Sequence, residues 1–315
     1  MAWIIRKKYL EELISLTGTP DIKVITGVRR SGKSVLLQQY ADWLVKNKAD
    51  VNIISVNLQE LEYDELLDYH KLHAYVCEHF KDGYNNVVMI DEIQLCEKFE
   101  LTINSLHTKR KFDIYLTGSN AFLLSSDLAT LFTGRVMEVR VFPFSFSEYV
   151  EYFAVKGDLF DAFDRYARIG GMSGSYPYVT EEQQFGYIED VYKTILERDL
   201  VKKYRIRNNS EFLGISEFMM DNIGNQLSPN NICKTLNRGQ SEITRKTVDK
   251  YINGYERKLT RNIFMAYQCL HARISNGNQC FETLILIART EFRERLLAAK
   301  NAKIAKHSVE TTKLS

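Results

Sequence analysis

The segment Gly27-Val28-Arg29-Arg30-Ser31-Gly32-Lys33-Ser34 fits the pattern G-x-x-x-x-G-K-[ST]. A β-branched run, Ile22 to Thr26, enters it, and a helical run with Leu36, Leu37, Tyr40, Ala41 and Leu44 leaves it. Strand, Gly-bearing loop and helix in that order bring backbone N–H groups and a helix N-terminus to one point, which makes a phosphate cradle. The eight residues from Gly27 to Ser34 are therefore the candidate nucleotide-binding set. Within it, Lys33 would neutralise phosphate charge and the Ser34 hydroxyl would ligate Mg²⁺.

Upstream, Arg6 to Leu16 reads as an amphipathic helix ended by Thr17-Gly18-Thr19-Pro20. Downstream, Val51 to Leu58 reads as a second strand, and Glu60 to Phe80 as an acidic helical stretch. Asn86-Val87-Val88-Met89-Ile90-Asp91-Glu92-Ile93-Gln94 follows. Its apolar run and closing acids fit a buried parallel strand whose carboxylates emerge at the C-terminal end. Asp91 is then a candidate to hold Mg²⁺, and Glu92 a candidate base that orients and deprotonates an attacking water. Asp113 to Asn120 reads as a further parallel strand lying beside the Asp91 strand. Its polar end makes Ser119 and Asn120 candidates to reach the γ-phosphate or the water. The alternative for both is a turn and helix N-cap before Ala121 to Leu124. Gly134-Arg135 precedes an edge strand, Val136 to Val141. Arg135 is either a surface residue or an arginine finger, acting in its own site or a neighbouring subunit's.

Phe142 to Glu148 fits a turn into a helix, with Ser145-x-x-Glu148 or Ser147 as its cap. From Ser147 to Lys203 the pattern is helical, interrupted by a loop from Gly170 to Pro177. A helix over Glu211 to Asn225 comes next, then a short one over Asn230 to Leu236 with Ser228 as N-cap and Pro229 at N1. A turn, Asn237 to Ser241, leads to a third helix, Glu242 to Tyr255, which carries Arg245, Lys246 and Lys250. Three short helices, the last basic, read as a helix-turn-helix or winged-helix unit. Its DNA-contact candidates are Thr244, Arg245, Lys246 and Lys250; the alternative is a helix-turn-helix that touches no DNA.

Charge is unevenly divided. The first 201 residues hold 22 Lys and Arg against 30 Asp and Glu, and the rest hold 20 against 10. A basic C-terminal part points either to a polyanionic partner or to a solvated face that packs on the acidic half. The five cysteines form no C-x-x-C pair. That argues against a disulfide framework or zinc site and for a reducing compartment. The N-terminus lacks the apolar stretch of a signal peptide, and no run is long enough to span a membrane, so a cytoplasmic location is expected.

Together these motifs resemble the AAA-14-type, archaeal-like ATPases of the AAA+ superfamily that carry a DUF4143 region. The likeness rests on the double Arg before Ser31-Gly32-Lys33, on Asp91-Glu92-Ile93-Gln94, on Leu116-Thr117-Gly118-Ser119-Asn120, and on Gly134-Arg135 and Phe142 to Glu148, in that order. It extends through Gly170-Gly171, Tyr176-Pro177 and Glu197-Arg198-Asp199-Leu200, and covers roughly Arg6 to Tyr255. The resemblance implies ATP binding and Mg²⁺-dependent hydrolysis on an AAA+ core. Lys33 and Ser34 match the family's phosphate loop, Asp91 and Glu92 its second motif, Ser119 its polar sensor and Arg135 the Arg of its L-x-G-R motif. Family members continue into a nuclease-like α/β fold, whereas this sequence departs from that pattern after about residue 258. A truncated or frameshifted reading, with a non-native tail, is the expectation there.

The expected architecture is thus an α/β phosphate-loop core with a parallel sheet over residues 1–146. A helical lid follows over 147–208, a winged-helix-like start of the DUF4143 region over 209–258, and an uncertain tail over 259–315. The expected function is ATP hydrolysis coupled to movement of the winged-helix-like part, with oligomerisation as an option. The alternative is a nucleotide-gated DNA-binding module that hydrolyses slowly or not at all. A phosphate-loop kinase is disfavoured, because the Asp-Glu pair suits attack by water.

Overall fold

The computed structural model describes residues 4–119, 132, 134–196, 201, 208–221, 228–237 and 243–249. The expected parallel sheet has five strands: β1 Ile22–Gly27, β2 Val51–Asn57, β3 Asn85–Asp91, β4 Phe112–Ser119 and β5 Val136–Val141. They lie in the order β2-β3-β4-β1-β5, each pair parallel. The strand after Phe112 does lie beside the one that ends in Asp91, and β5 is an edge.

Every residue of β1 is buried, the mark of a strand covered on both faces. Alternate side chains go to opposite faces. Val24, Val88 and Leu116 pack under helices α3 (Tyr69–Glu78) and α4 (Phe99–Thr108). Ile25, Met89 and Tyr115 pack under α1 (Lys7–Ser15) and α2 (Lys33–Asn47). From β1 the chain crosses to the far edge at β2, works back to β4, then steps over β1 to β5. The loop after β1 therefore stands at the reversal of strand order, where open α/β sheets take their ligands.

One local reading is corrected. The stretch from Glu60 to Phe80 is not one helix: a 3₁₀ segment, Leu61–Leu67, ends at Asp68, whose side chain accepts from the N–H groups of His70 and Lys71 and starts α3 afresh. A carboxylate that satisfies the first free N–H groups of a helix sets its start. Helix α4 joins β3 to β4 along the chain and packs on the sheet face.

Beyond the sheet lie α5 (Phe146–Tyr152), α6 (Leu159–Ile169), α7 (Glu181–Thr194), α8 (Asn209–Asp221) and α9 (Pro229–Leu236). The capping box of Ser145 and Glu148 opens α5, and Ser228 with Pro229 opens α9 as expected. Phe144, Tyr149, Ile169 and Tyr176 form a small aromatic core around α5 and α6. A separate core joins Ile188 and Val191 of α7 to Ile215 of α8, Ile232 of α9 and Val248. Helix α7 thus shares its apolar face with the helices beyond residue 208. After α9, the Asn237 side chain donates to the Ile243 carbonyl at 3.0 Å and accepts from its N–H at 2.8 Å. The third helix begins after Thr244, not at Glu242, because Thr244 Oγ1 accepts from the Thr247 N–H. Its continuation, with Lys250, and the whole 259–315 tail lie outside the described residues.

Among the described residues Cys77, Cys96 and Cys233 carry free thiols, and no helix is long and apolar enough to cross a membrane.

Candidate nucleotide-binding site

The phosphate loop leaves β1 at Gly27. A Cβ there would run into the Val141 carbonyl of β5 and the Ser31 hydroxyl, so only glycine fits between the two. The loop closes by a hydrogen bond from the Ser31 N–H to the Val28 carbonyl at 3.1 Å. Arg30 has φ 63° and Gly32 φ 92°, so the chain passes twice through left-handed conformations before α2 begins. Side chains disfavour that region, and Gly32 carries none. Lys33 is the first residue of α2. Only 4% of its surface is exposed, and its ammonium donates to the carbonyls of Gly27 and Val28 at 3.2 and 3.1 Å. The positive charge therefore sits inside the loop. Val28 is buried, while Ser34 and Arg30 are exposed and Arg29 is half-buried.

Asp91 ends β3 opposite Asn57 of β2, and Gly27 is level with Ser119 of β4. The acids and the phosphate loop therefore emerge from the same edge of the sheet, with only β4 between their strands. Two strand spacings put β3 and β1 about 10 Å apart, enough for a chain of phosphates. Asp91 and Glu92 are 7% and 9% exposed.

The strand between them supplies their support. The Thr117 hydroxyl of β4 donates to Asp91 Oδ1 and accepts from the Glu92 N–H at 3.0 Å. Glu92 itself has φ 56°, a costly conformation for a residue with a side chain. Gln94 donates through Nε2 to Glu92 Oε2. Two buried polar atoms at this edge have no protein partner: Ser31 Oγ in the loop and Gln94 Oε1 beside the acids. Both fit a site that receives hydrogen-bonding groups from a ligand or a water.

The oxygen donors present suit a hard divalent cation such as Mg²⁺, which keeps waters and binds through one or two carboxylates plus substrate phosphates. Asp91 and the exposed Ser34 hydroxyl are such donors. Among the described residues no three His, Cys, Asp or Glu converge into an all-protein metal cage.

Sequence reasoning gave no role to three residues that shape this site. Thr117 and Gln94 lay within quoted motifs, and only their hydrogen bonds single them out. Arg6 read as the first residue of a helix; it is 2% exposed and reaches the loop backbone, donating from Nη1 to the Ser31 carbonyl at 2.9 Å.

The other candidates are placed as follows. Ser119 closes β4 at the site's edge, but its side chain, like Asn120, lies outside the described residues. Arg135 stands before the first residue of β5, and its carbonyl accepts from the Ile22 N–H at the start of β1. Six strand residues separate that level from the loop, about 20 Å. Arg135 is exposed and lines a cleft of about 1010 Å³ at the opposite edge, with Thr19, Lys48, Arg110 and Asp113. It does not reach its own loop, so the reading in which it serves its own site is corrected. Thr244, Arg245 and Lys246 are exposed at the start of the third helix, and Arg245 pairs with Asp249 at 3.6 Å.

Comparison with known proteins bears on both parts of the chain. Residues 19–150 match the family model AAA_14, described as an AAA domain. Residues 160–260 match a domain of unknown function, DUF8612, where the resemblance had implied DUF4143. The AAA_14 match covers the part of the chain that carries the sheet. An uncharacterized protein of Haemophilus influenzae is 33% identical over 272 residues, covering 85% of this chain and 66% of its own length. An uncharacterized protein of Methanocaldococcus jannaschii is 27% identical over 251 residues, covering 73% of this chain and 53% of its own. The chain therefore spans between half and two thirds of the length of these two relatives. Among solved structures, AMPPCP-bound DnaA from Aquifex aeolicus aligns with a TM-score of 0.37 at 13% identity, over 87% of this chain and 94% of that one.

Proposed function

We propose that the AAA-type domain binds ATP with Mg²⁺ and hydrolyses it, and that the helices after residue 146 receive the resulting motion. One observation carries this reading. The Lys33-bearing loop and the Asp91-Glu92 pair stand at one sheet edge, one strand apart, with Thr117 of the intervening strand bonded to both acids.

In this reading the backbone N–H groups of Gly27 to Ser34 and the Lys33 ammonium hold the β- and γ-phosphates. Asp91 and Ser34 would hold Mg²⁺, which supplies charge neutralisation on the phosphate oxygens when bound. Glu92 orients a water against the γ-phosphate and takes its proton at the carboxylate. Gln94, bonded to the same carboxylate, keeps it from turning away. Ser119 serves as a polar sensor at the edge between loop and acids. Arg135 can serve only the site of a second copy.

Two contacts support transmission to the later helices. Arg6 joins the loop to Glu148 of α5, and the Arg30 guanidinium lies 4.9 Å from the Tyr187 ring centroid on α7. The test is ATP turnover with Mg²⁺. Lys33→Ala should abolish binding and turnover, and Glu92→Gln should abolish turnover while binding persists. Full turnover in Glu92→Gln removes the assigned base.

A nucleotide-gated DNA-binding reading draws on the exposed Thr244, Arg245 and Lys246 at the start of the third helix. Salt-dependent duplex binding, weakened by Lys246→Ala, supports it; no binding at low salt removes it.

A further inference from the structure

Arg6 lies twenty-one residues before the phosphate loop, yet it is buried, at 2% exposure. Three sets of contacts hold it. Nε and Nη2 make a two-pronged ion pair with Glu148 of α5, at 2.6 and 3.0 Å. The Tyr9 and Phe144 rings lie 4.5 and 5.1 Å from the guanidinium carbon. Nη1 donates to the Ser31 carbonyl at 2.9 Å. Its Nη1 also lies 3.9 Å from where a Cβ would stand on Gly32, so the guanidinium sits directly against the loop backbone.

A peptide unit is planar and trans, so its C=O and N–H point in opposite directions. The Ser31 carbonyl and the Gly32 N–H belong to one unit. With the carbonyl held on Arg6, the Gly32 N–H is turned to the side away from Arg6. Gly32, with φ 92° and no side chain, has little local preference that would hold this orientation. Arg6 can supply the hold because Glu148 and the two rings leave its planar fork a single orientation.

We propose that Arg6, locked by Glu148, is a positioning residue for nucleotide phosphate: it fixes the Ser31–Gly32 peptide so that the Gly32 N–H faces the phosphate. This rests on the nucleotide reading of the loop. An N–H on a phosphate that stays bound through turnover holds ground and transition states alike, so its loss acts on KM and not on kcat.

The test uses the full chain with Mg²⁺ and ATP or ADP. Arg6→Lys keeps a charge for Glu148 but loses the fork, and Glu148→Gln keeps a hydrogen-bond acceptor but loses the ion pair. Expected for Arg6→Lys is a rise in KM for ATP of about tenfold, the worth of one hydrogen bond. The Kd values for ATP and ADP by calorimetry should rise by the same factor, while kcat stays within about threefold. Glu148→Gln should shift KM and Kd in the same direction by less. A merely structural Arg6 would lower the melting temperature and the active fraction, and hence apparent kcat, at unchanged KM. That pattern overturns the proposal, as does a folded Arg6→Lys with wild-type Kd. If Arg6→Lys does not fold, Glu148→Gln decides alone, with wild-type KM and Kd overturning the proposal. Failure of the nucleotide reading looks different: the wild type itself binds neither ATP nor ADP and matches Lys33→Ala.

Discussion

The Thr117 hydroxyl of β4 donates to the Asp91 carboxylate of β3, and the same oxygen accepts from the Glu92 N–H at 3.0 Å. Thr117 is fully buried, so one small side chain satisfies two polar groups that would otherwise face apolar surroundings. It also ties the proposed metal-holding acid and the proposed base to the strand that ends at Ser119.

Replacing that hydroxyl with a methyl of the same shape is expected to be costly. Thr117→Val leaves the Glu92 N–H and one Asp91 oxygen unsatisfied, at a cost of about 1–3 kcal/mol in urea denaturation. Turnover of ATP falls with it, while Thr117→Ser retains most of both.

Gln94 bonds to the Glu92 carboxylate, and its own buried Oε1 has no protein partner. Gln94→Leu removes the restraint on the base without touching the loop. The expected result is a fall in kcat of about tenfold or more, with Kd for ATP unchanged. Equal kcat in single-turnover measurements would show that Glu92 keeps its orientation without help.

The Glu148 carboxyl titrates below its ordinary value of 4.5. Burial alone would push it up; the hydrogen bonds from Arg6 and from Ser145, with the Arg6 charge, outweigh that burial. A folded-state value below the unfolded one means that the ionised carboxyl favours folding. This contribution is present in full above the unfolded value and disappears as pH falls through the lower folded value. The stability difference between wild type and Glu148→Gln should therefore shrink as pH is lowered from about 5 to 3. A difference constant over that range contradicts the Arg6–Glu148 pair as the cause.

At the opposite edge of the sheet Lys23, fully buried on β1, donates to Asp113 at 2.5 Å and to the Thr19 carbonyl at 2.6 Å. Lys23→Met takes the counter-charge from the Asp113 carboxylate, which keeps the Gly18 N–H and the Tyr115 hydroxyl as donors, and should cost about 3 kcal/mol in chemical denaturation. Because Lys23 stands four strand residues before Gly27, about 13 Å away, and its side chain turns toward Thr19 and Asp113 at the far end of β1, the Kd for ATP of the folded variant should not change.

Arg135 lies on that same far edge. Arg135→Ala should leave ATP affinity untouched. Any loss of turnover should appear only at protein concentrations where copies associate, as read from the concentration dependence of kcat. Loss of turnover in a strictly monomeric sample would contradict its placement.

The site divides between what one segment holds and what several must share. The phosphate loop was legible because its residues are contiguous: a glycine where the loop leaves β1, a glycine at φ 92°, and a lysine opening a helix, within eight residues. Asp91 and Glu92 were legible because they close a buried apolar strand 64 residues after Gly27, with strand and helix patterns between; an acid pair at a strand end is common by itself. Helix breaks were less so. Asp68 begins a new helix inside an acidic stretch, since in sequence a capping carboxylate looks like any other acid.

The sequence by itself determined a parallel α/β sheet, a phosphate cradle after its first strand, and two acids at the end of a later one. These follow from period, composition and spacing along a single stretch of chain. Tertiary structure alone decided which residues support that chemistry. Thr117 reaches the acids because β4 is inserted between β1 and β3, and Arg6 meets Glu148 across 142 residues of chain. It also decided where Arg135 cannot act, because strand direction puts it at the wrong end of β5. Strand order and direction are settled by packing the whole sheet between its two helical layers, and no single segment carries that information.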